Sequence, residues 1–185
     1  MKIELPSDLS GDGFVLRPLT VGDAASYAAA FTDDPELGRL LGIEQDPNEQ
    51  SIRERASRYR DRAEEGKGVE FAIADPRTDE FLGSVILHSF DWQHRRCEVG
   101  FWLAPAARGR RLGADAVART LSWAFDALDL LRVEMTTTPD NLAVSVLARR
   151  LGFTQEGVLR SRNVERGNRV DVVFFGVLRE EWGRR

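Results

Sequence analysis

Seven residues, Arg108-Gly109-Arg110-Arg111-Leu112-Gly113-Ala114, follow a strand-like run from Cys97 to Leu103 and open a long amphipathic segment. A strand-to-helix loop of this kind leaves several backbone N–H groups unpaired and aimed one way, at a helix N-terminus. The helix dipole adds positive charge there, and the glycines let the backbone approach a ligand closely. Three arginines in the same stretch supply countercharge suited to phosphate oxygens. The chemistry these residues suit is the holding of a pyrophosphate. A tight turn with a solvated basic face would use the same residue types. The dinucleotide fingerprint G-x-G-x-x-G and the nucleoside-triphosphate loop G-x-x-x-x-G-K-[ST] are both absent.

Glu98 is the candidate base. By strand alternation Cys97, Val99, Phe101 and Leu103 face one way, and Glu98, Gly100 and Trp102 the other. A carboxylate there can accept a proton through water or orient an incoming ammonium. As a plain surface carboxylate it would instead pair with Arg95 or Arg96. The lone Cys97 reads as core packing. His88 and His94 lack ligand spacing, and two histidines with one cysteine make no metal site.

Downstream, a strand-like run from Leu131 to Thr138 leads to Asp140-Asn141. A short helical pattern follows, carried by Val144, Leu147, Ala148 and Leu151, and closes at Gly152-Phe153. The order Glu98-Val99-Gly100-Phe101-Trp102, then the arginine-glycine loop, Asn141 with Ser145, Leu151-Gly152-Phe153 and Glu156-Gly157-x-Leu159-Arg160 resembles the GNAT superfamily of N-acetyltransferases. Within it the chain looks most like the Rim-type branch, named for enzymes that acetylate N-termini of ribosomal proteins. Arg169-Val170-Asp171 ahead of a Val/Phe strand fits that branch too. The resemblance runs from about Phe14 to Trp182.

The resemblance implies an α/β fold with a mixed, mostly antiparallel central sheet of about seven strands, flanked by about four helices. It also implies a splay between the fourth and fifth strands. Carbonyl and pantetheine contacts fall to the backbone of Phe101, Trp102 and Leu103, and the pyrophosphate to the loop from Arg108 through Gly109, Arg110, Arg111, Leu112 and Gly113 to Ala114. Asn141 caps its helix and, by resemblance, touches the pantetheine arm. Many members carry a tyrosine that protonates the leaving thiolate; here that position is Ala148. Ser145, one turn earlier, is the substitute that the Rim-type pattern offers, its alternative being a serine bonded back to its own helix. The superfamily pattern also places glycine where this chain has Arg111.

Composition agrees with a soluble globular protein: 185 residues, 42% hydrophobic, 30% charged and net charge −4. The acidic balance argues against general nucleic-acid binding. No apolar run reaches the roughly 18–20 residues that span a bilayer. The N-terminus lacks the apolar stretch of a signal peptide, and one cysteine suits a reducing compartment, so a cytoplasmic location is expected. The chain reads as one domain, residues 1–185.

Along it, strands are expected at Phe14–Leu19, Val69–Ala74, Phe81–Phe90, Cys97–Leu103, Leu131–Thr138, Phe153–Arg162 and Arg169–Leu178, the last two joined through Glu165-Arg166-Gly167-Asn168. Helices are expected from Thr20 to Phe31, from an Asp46 cap to about Gly66, from Ala114 to Leu128, and around Val144–Leu151. The segment Thr32–Gln45 reads as irregular.

The expected activity is acetyl transfer from acetyl-CoA, without metal or acyl-enzyme, to a protein or peptide α-amine. A small-molecule amine (polyamine, amino acid or aminoglycoside) is the alternative acceptor, and a CoA-binding module with weak or lost catalysis the alternative class. A homodimer is left open.

Overall fold

The computed structural model describes residues 1–6, 9–165 and 167–183. Among these residues eight strands form one sheet: β1 (Ser10–Gly11), β2 (Phe14–Pro18), β3 (Val69–Ala74), β4 (Phe81–Asp91), β5 (Arg96–Leu103), β6 (Arg132–Thr137), β7 (Thr154–Glu165) and β8 (Asn168–Leu178). Their order is β1-β2-β3-β4-β5-β6-β8-β7. Every pairing is antiparallel except β5 with β6. The expected count of about seven is one short, because the two-residue β1 carries no strand pattern of its own. Arg166, in the expected β7–β8 turn, lies outside the described residues.

Among the described residues six α-helices accompany the sheet, against about four expected: α1 (Ala24–Asp33), α2 (Pro35–Leu40), α3 (Glu49–Ser57), α4 (Tyr59–Glu64), α5 (Leu112–Asp126) and α6 (Leu142–Arg150). Two local events account for the difference. α2 forms inside the segment expected to be irregular, with Pro35 at its first position and the Asp34 carboxylate accepting from Glu36 N at 3.2 Å. The next expected helix breaks at Arg58 into α3 and α4. Its cap is Asn48 rather than Asp46: Asn48 Oδ1 accepts from Ser51 N at 2.9 Å, and Ser51 Oγ accepts from Asn48 N at 3.1 Å. A reciprocal pair of bonds outcompetes the aspartate two residues earlier.

Alternation along the strands sorts the core into two layers. On one face Phe71, Ile73, Val85, Leu87, Cys97 and Val99 pack against Ala116, Val117, Leu121, Ala124 and Phe125 of α5. On the other, Ala72 and Trp102 meet Tyr27, Phe31 and Ile52 of α1 and α3. β3 is therefore buried along its whole length, and its sequence, Val-Glu-Phe-Ala-Ile-Ala, is nearly all apolar. The exception, Glu70, is fully engaged by the Tyr27 hydroxyl at 3.2 Å, the Ser84 hydroxyl at 2.7 Å and the Arg55 guanidinium.

Candidate active site

β5 and β6 run side by side for three residues: Arg96 beside Arg132, Cys97 beside Val133, and Glu98 beside Glu134. Beyond Glu98 the strands part. This is the expected splay between the fourth and fifth strands, once the two-residue β1 is set aside. Ala104 N donates to Leu82 O at 2.9 Å, in register with the rest of the β4–β5 ladder. Because alternate residues of an antiparallel strand point their N–H groups to the same side, Gly100 and Trp102 donate towards β4. Phe101 and Leu103 then aim theirs into the gap, where β6 supplies no pairing partner. Two backbone donors line a cleft that a carbonyl or amide chain can enter.

The cleft leads directly to the start of α5. The first bond of that helix is Asp115 N to Arg111 O at 3.1 Å, so the N–H groups of Leu112, Gly113 and Ala114 lack helical partners. Arg108 is tied down at the loop's entry: its Nε donates to Leu103 O at 3.1 Å and its Nη1 pairs with Asp34 at 2.6 Å. Arg110 and Arg111 are exposed and make no ion pair among the described residues. Arg108 thus shapes the loop, while the other two hold free charge beside the helix N-terminus.

Arg111 has φ +61° and ψ −6°, the left-handed region in which an L side chain costs about 1–2 kcal/mol. That conformation explains the glycine of the superfamily pattern at this place. Glycine's greater freedom in the unfolded chain offsets part of the gain. Arg111→Gly is therefore expected to raise Tm by about 1–2 °C, seen by calorimetry, and a marked fall would show that the arginine's contacts outweigh its strain.

Gly113 lies in the seam between α5 and β5. A Cβ there would come within 3.1 Å of Phe101 Cε2 and 3.4 Å of Leu103 Cδ1. A glutamate at 113 would disturb this packing as well as repel phosphate. Charge reversal at exposed Arg110 acts on the electrostatics alone. Arg110→Glu is expected to weaken acetyl-CoA binding by about tenfold or more, measured by titration calorimetry, with Tm unchanged; unaltered affinity would take the pyrophosphate away from this loop.

On the other wall, α6 begins shortly after β6 ends. Asn141 caps it, with Oδ1 accepting from Val144 N at 3.3 Å, an interaction worth about 1 kcal/mol. The amide nitrogen of the same side chain makes no hydrogen bond among the described residues. Ser145 is 6% exposed, and its hydroxyl makes no hydrogen bond among the described residues. The helix back-bond is therefore not formed. Ala148, where many relatives carry tyrosine, is fully buried against the core.

Glu98 stands where the strands part. It accepts a hydrogen bond from Thr136 Oγ1 across on β6. Neither neighbouring arginine takes it: Arg95 pairs with Asp129, and Arg96 with Asp91 at 3.1 Å and Glu134 at 3.0 Å. Cys97 points to the opposite face, 1% exposed, its thiol pushed well up by burial and the nearby carboxylates of Glu134 and Glu98. Sequence reasoning missed two residues of this face, Thr136 and His88. Alternation places each on a strand face, but the register that brings them to Glu98 is not readable locally.

Residues 14–154 match the family described as the acetyltransferase (GNAT) domain. The chain belongs to the GNAT acetyltransferase family. Among its relatives, the N-acetyltransferase YoaA of Bacillus subtilis, itself uncharacterized, is 29% identical over 92% of this chain and 96% of its own. Among solved structures, RimJ of Mycobacterium smegmatis in complex with CoA-disulfide superposes with a TM-score of 0.83 at 24% identity, covering 92% of this chain and 84% of that one. A spermidine N-acetyltransferase from Vibrio cholerae, in complex with CoA and spermine, gives 0.81 at 20% identity over 93% and 99%. The neighbourhood includes a Rim-type protein, in keeping with the resemblance read from the motifs, and the fold is shared with a polyamine enzyme. Membership of the GNAT acetyltransferase family and the CoA complexes among the chain's structural neighbours support acetyl-CoA as the acyl donor. The cleft, with backbone donors along β5 and orphan donors at α5, fits the extended shape of a pantetheine arm ending in a pyrophosphate.

Proposed function

We propose that this GNAT enzyme transfers acetyl directly to the α-amine of a peptide or protein N-terminus. The carrying observation is the Rim-type order of motifs on both walls of the cleft, from Glu98 through the Arg108–Ala114 loop to Asn141 and Ser145. On this reading Phe101 and Leu103 N–H hold and polarise the thioester side of the donor. Glu98 engages the incoming ammonium where β5 and β6 part. Once freed of its proton, the amine attacks the carbonyl carbon, and the departing thiolate takes a proton from Ser145 Oγ. Direct transfer is supported by the position of Cys97, the chain's one cysteine, which is buried on the far face of β5.

A polyamine acceptor is the second reading. It is favoured by the net charge of −4 and by the Glu98 carboxylate, which has no arginine partner among the described residues. Thiol release from acetyl-CoA decides between them, using peptides with N-terminal Ser or Ala, a polyamine, a free amino acid and an aminoglycoside. The peptides are expected to lead in kcat/KM by at least about tenfold, a gap of roughly 1.4 kcal/mol in transition-state binding. A polyamine in first place moves the acceptor to the second reading, and turnover with none of these amines refutes both.

A further inference from the structure

On the sheet face that α1 and α3 pack against, β4 and β5 are in a register that sets His88 opposite Glu98, Ile86 opposite Gly100 and Ser84 opposite Trp102. Gly100 has no side chain to fill its place. A Cβ built there would meet Ile86 Cγ2 at 3.2 Å and His88 Nε2 at 3.7 Å. Its backbone needs no glycine, since its φ lies outside the left-handed range. Ile86 and the imidazole therefore close over the backbone of β5 at Gly100, which sets Nε2 against that strand next to Phe101, on the same face as Glu98. The other ring nitrogen, Nδ1, is engaged by Ser89 Oγ at 2.9 Å. Nε2 makes no hydrogen bond among the described residues.

We infer that His88 is a second acceptor-side catalytic residue: Nε2 removes the proton of the ammonium that Glu98 attracts. The inference rests on the acetyl-transfer reading above and divides its acceptor side between two groups. The N–H bond of the ammonium breaks, its electron pair stays on nitrogen, and the proton becomes the Nε2–H of an imidazolium. The free amine then attacks the carbonyl carbon over Gly100 and Phe101. The imidazolium returns its proton to solvent after each turnover.

The surroundings suit that role. Burial lowers the imidazole pKa from its ordinary value, Glu98 and Glu70 raise it, and Arg55 and Arg62 lower it, with a net shift downward. These groups face the ring from β5, β3, α3 and α4. A neutral imidazole at pH 7 has a lone pair to accept a proton, and the adjacent anion stabilises the imidazolium once formed. Glu98 already accepts from Thr136, which suits it to holding a cation more than to carrying a proton away.

The test is a pH–kcat/KM series from about pH 6 to 9.5 for the wild type and His88→Gln, on one acceptor amine found by the panel. NMR titration of the imidazoles in the wild type accompanies it. With His94 as the chain's only other histidine, His94→Gln assigns the signals. Turnover of an amine by the wild type tests the acetyltransferase reading by itself, so the two readings fail separately. His88→Gln is expected to lose roughly a hundred- to a thousandfold in kcat/KM at pH 7 and to recover progressively towards pH 9.5 as the acceptor deprotonates unaided, its acid limb moving from the pKa of the imidazole to that of the acceptor. Acetyl-CoA affinity should stay within about twofold. An acid limb left at its wild-type pKa in His88→Gln, or a loss of equal size at every pH, overturns the assignment. Should that variant fold poorly, the wild type still decides. The acid-limb pKa must coincide with that of the His88 imidazole, and a mismatch overturns the inference.

Discussion

Ser145→Ala is expected to lower kcat by roughly ten- to a thousandfold while leaving the KM for acetyl-CoA within about twofold. A hydroxyl that protonates a leaving thiolate acts only as the carbon–sulfur bond breaks, so its removal costs transition-state binding and spares the ground state. The geometry makes this the serine to test. Its hydroxyl has no bond to its own helix, and it lies one turn beyond Asn141, on the helix that follows the β6 wall. Its small size and 6% exposure make the alanine variant structurally mild. Pre-steady-state and steady-state measurements of thiol release, with chemistry shown to be rate-limiting, read the effect. An unchanged kcat would leave Ser145 a packing residue of α6.

Glu98→Gln is expected to raise the KM for the acceptor by roughly ten- to a hundredfold, with a smaller fall in kcat. A carboxylate beside a cationic amine in a partly buried site contributes charge-assisted bonding that a neutral amide of the same shape cannot replace. A second signature separates this from a simple loss of binding. The Glu98 carboxylate is among the groups that raise the His88 pKa, so its removal should shift the acid limb of kcat/KM to lower pH. If Glu98 itself collected the proton, the limb would move to the acceptor's own pKa, and the deficit would be large near pH 6.5 and shrink towards pH 9 for an α-amine of pKa about 7.7–8.0. A carboxylate without a role would move neither constant. A pH–rate series on one acceptor tells the three outcomes apart.

The parts of the site that were legible in the sequence are those built from neighbours along the chain. β3 was placed at Val69–Ala74 because turn residues bound an apolar run, and β5 was placed to within one residue. The close of α6 was equally local. Gly152 adopts φ +91°, Phe153 N bonds to Ala148 O at 3.0 Å and Gly152 N to Arg149 O at 3.1 Å, a glycine-dependent stop. Asn141 was legible as a cap for the same reason. The starts of α2 and α3 were not, because several capping residues crowd between Asp34 and Asn48, and small differences in side-chain bonding decide among them.

The sequence by itself determined that the chain carries a strand, a basic glycine loop and a helix in the order that gathers orphan backbone donors at the helix start. It also determined that Glu98 and Cys97 face opposite sides of β5, since both are consequences of local geometry. Only the tertiary structure decided what each of those groups meets. The parallel pairing of β5 with β6 stops at Glu98, and this opens the cleft; Thr136 reaches Glu98 across it. The β4 register puts His88, ten residues away in the chain, directly opposite the same carboxylate. Asp34 and Arg39 of the α2 segment clasp Arg108 on one wall and Asp140 on the other. Strand register and the docking of α2 are set by how whole faces pack, and a one-residue slip would send His88 to the opposite side of the sheet. No window of sequence contains that choice, because the energy that makes it is spread over both faces of the sheet.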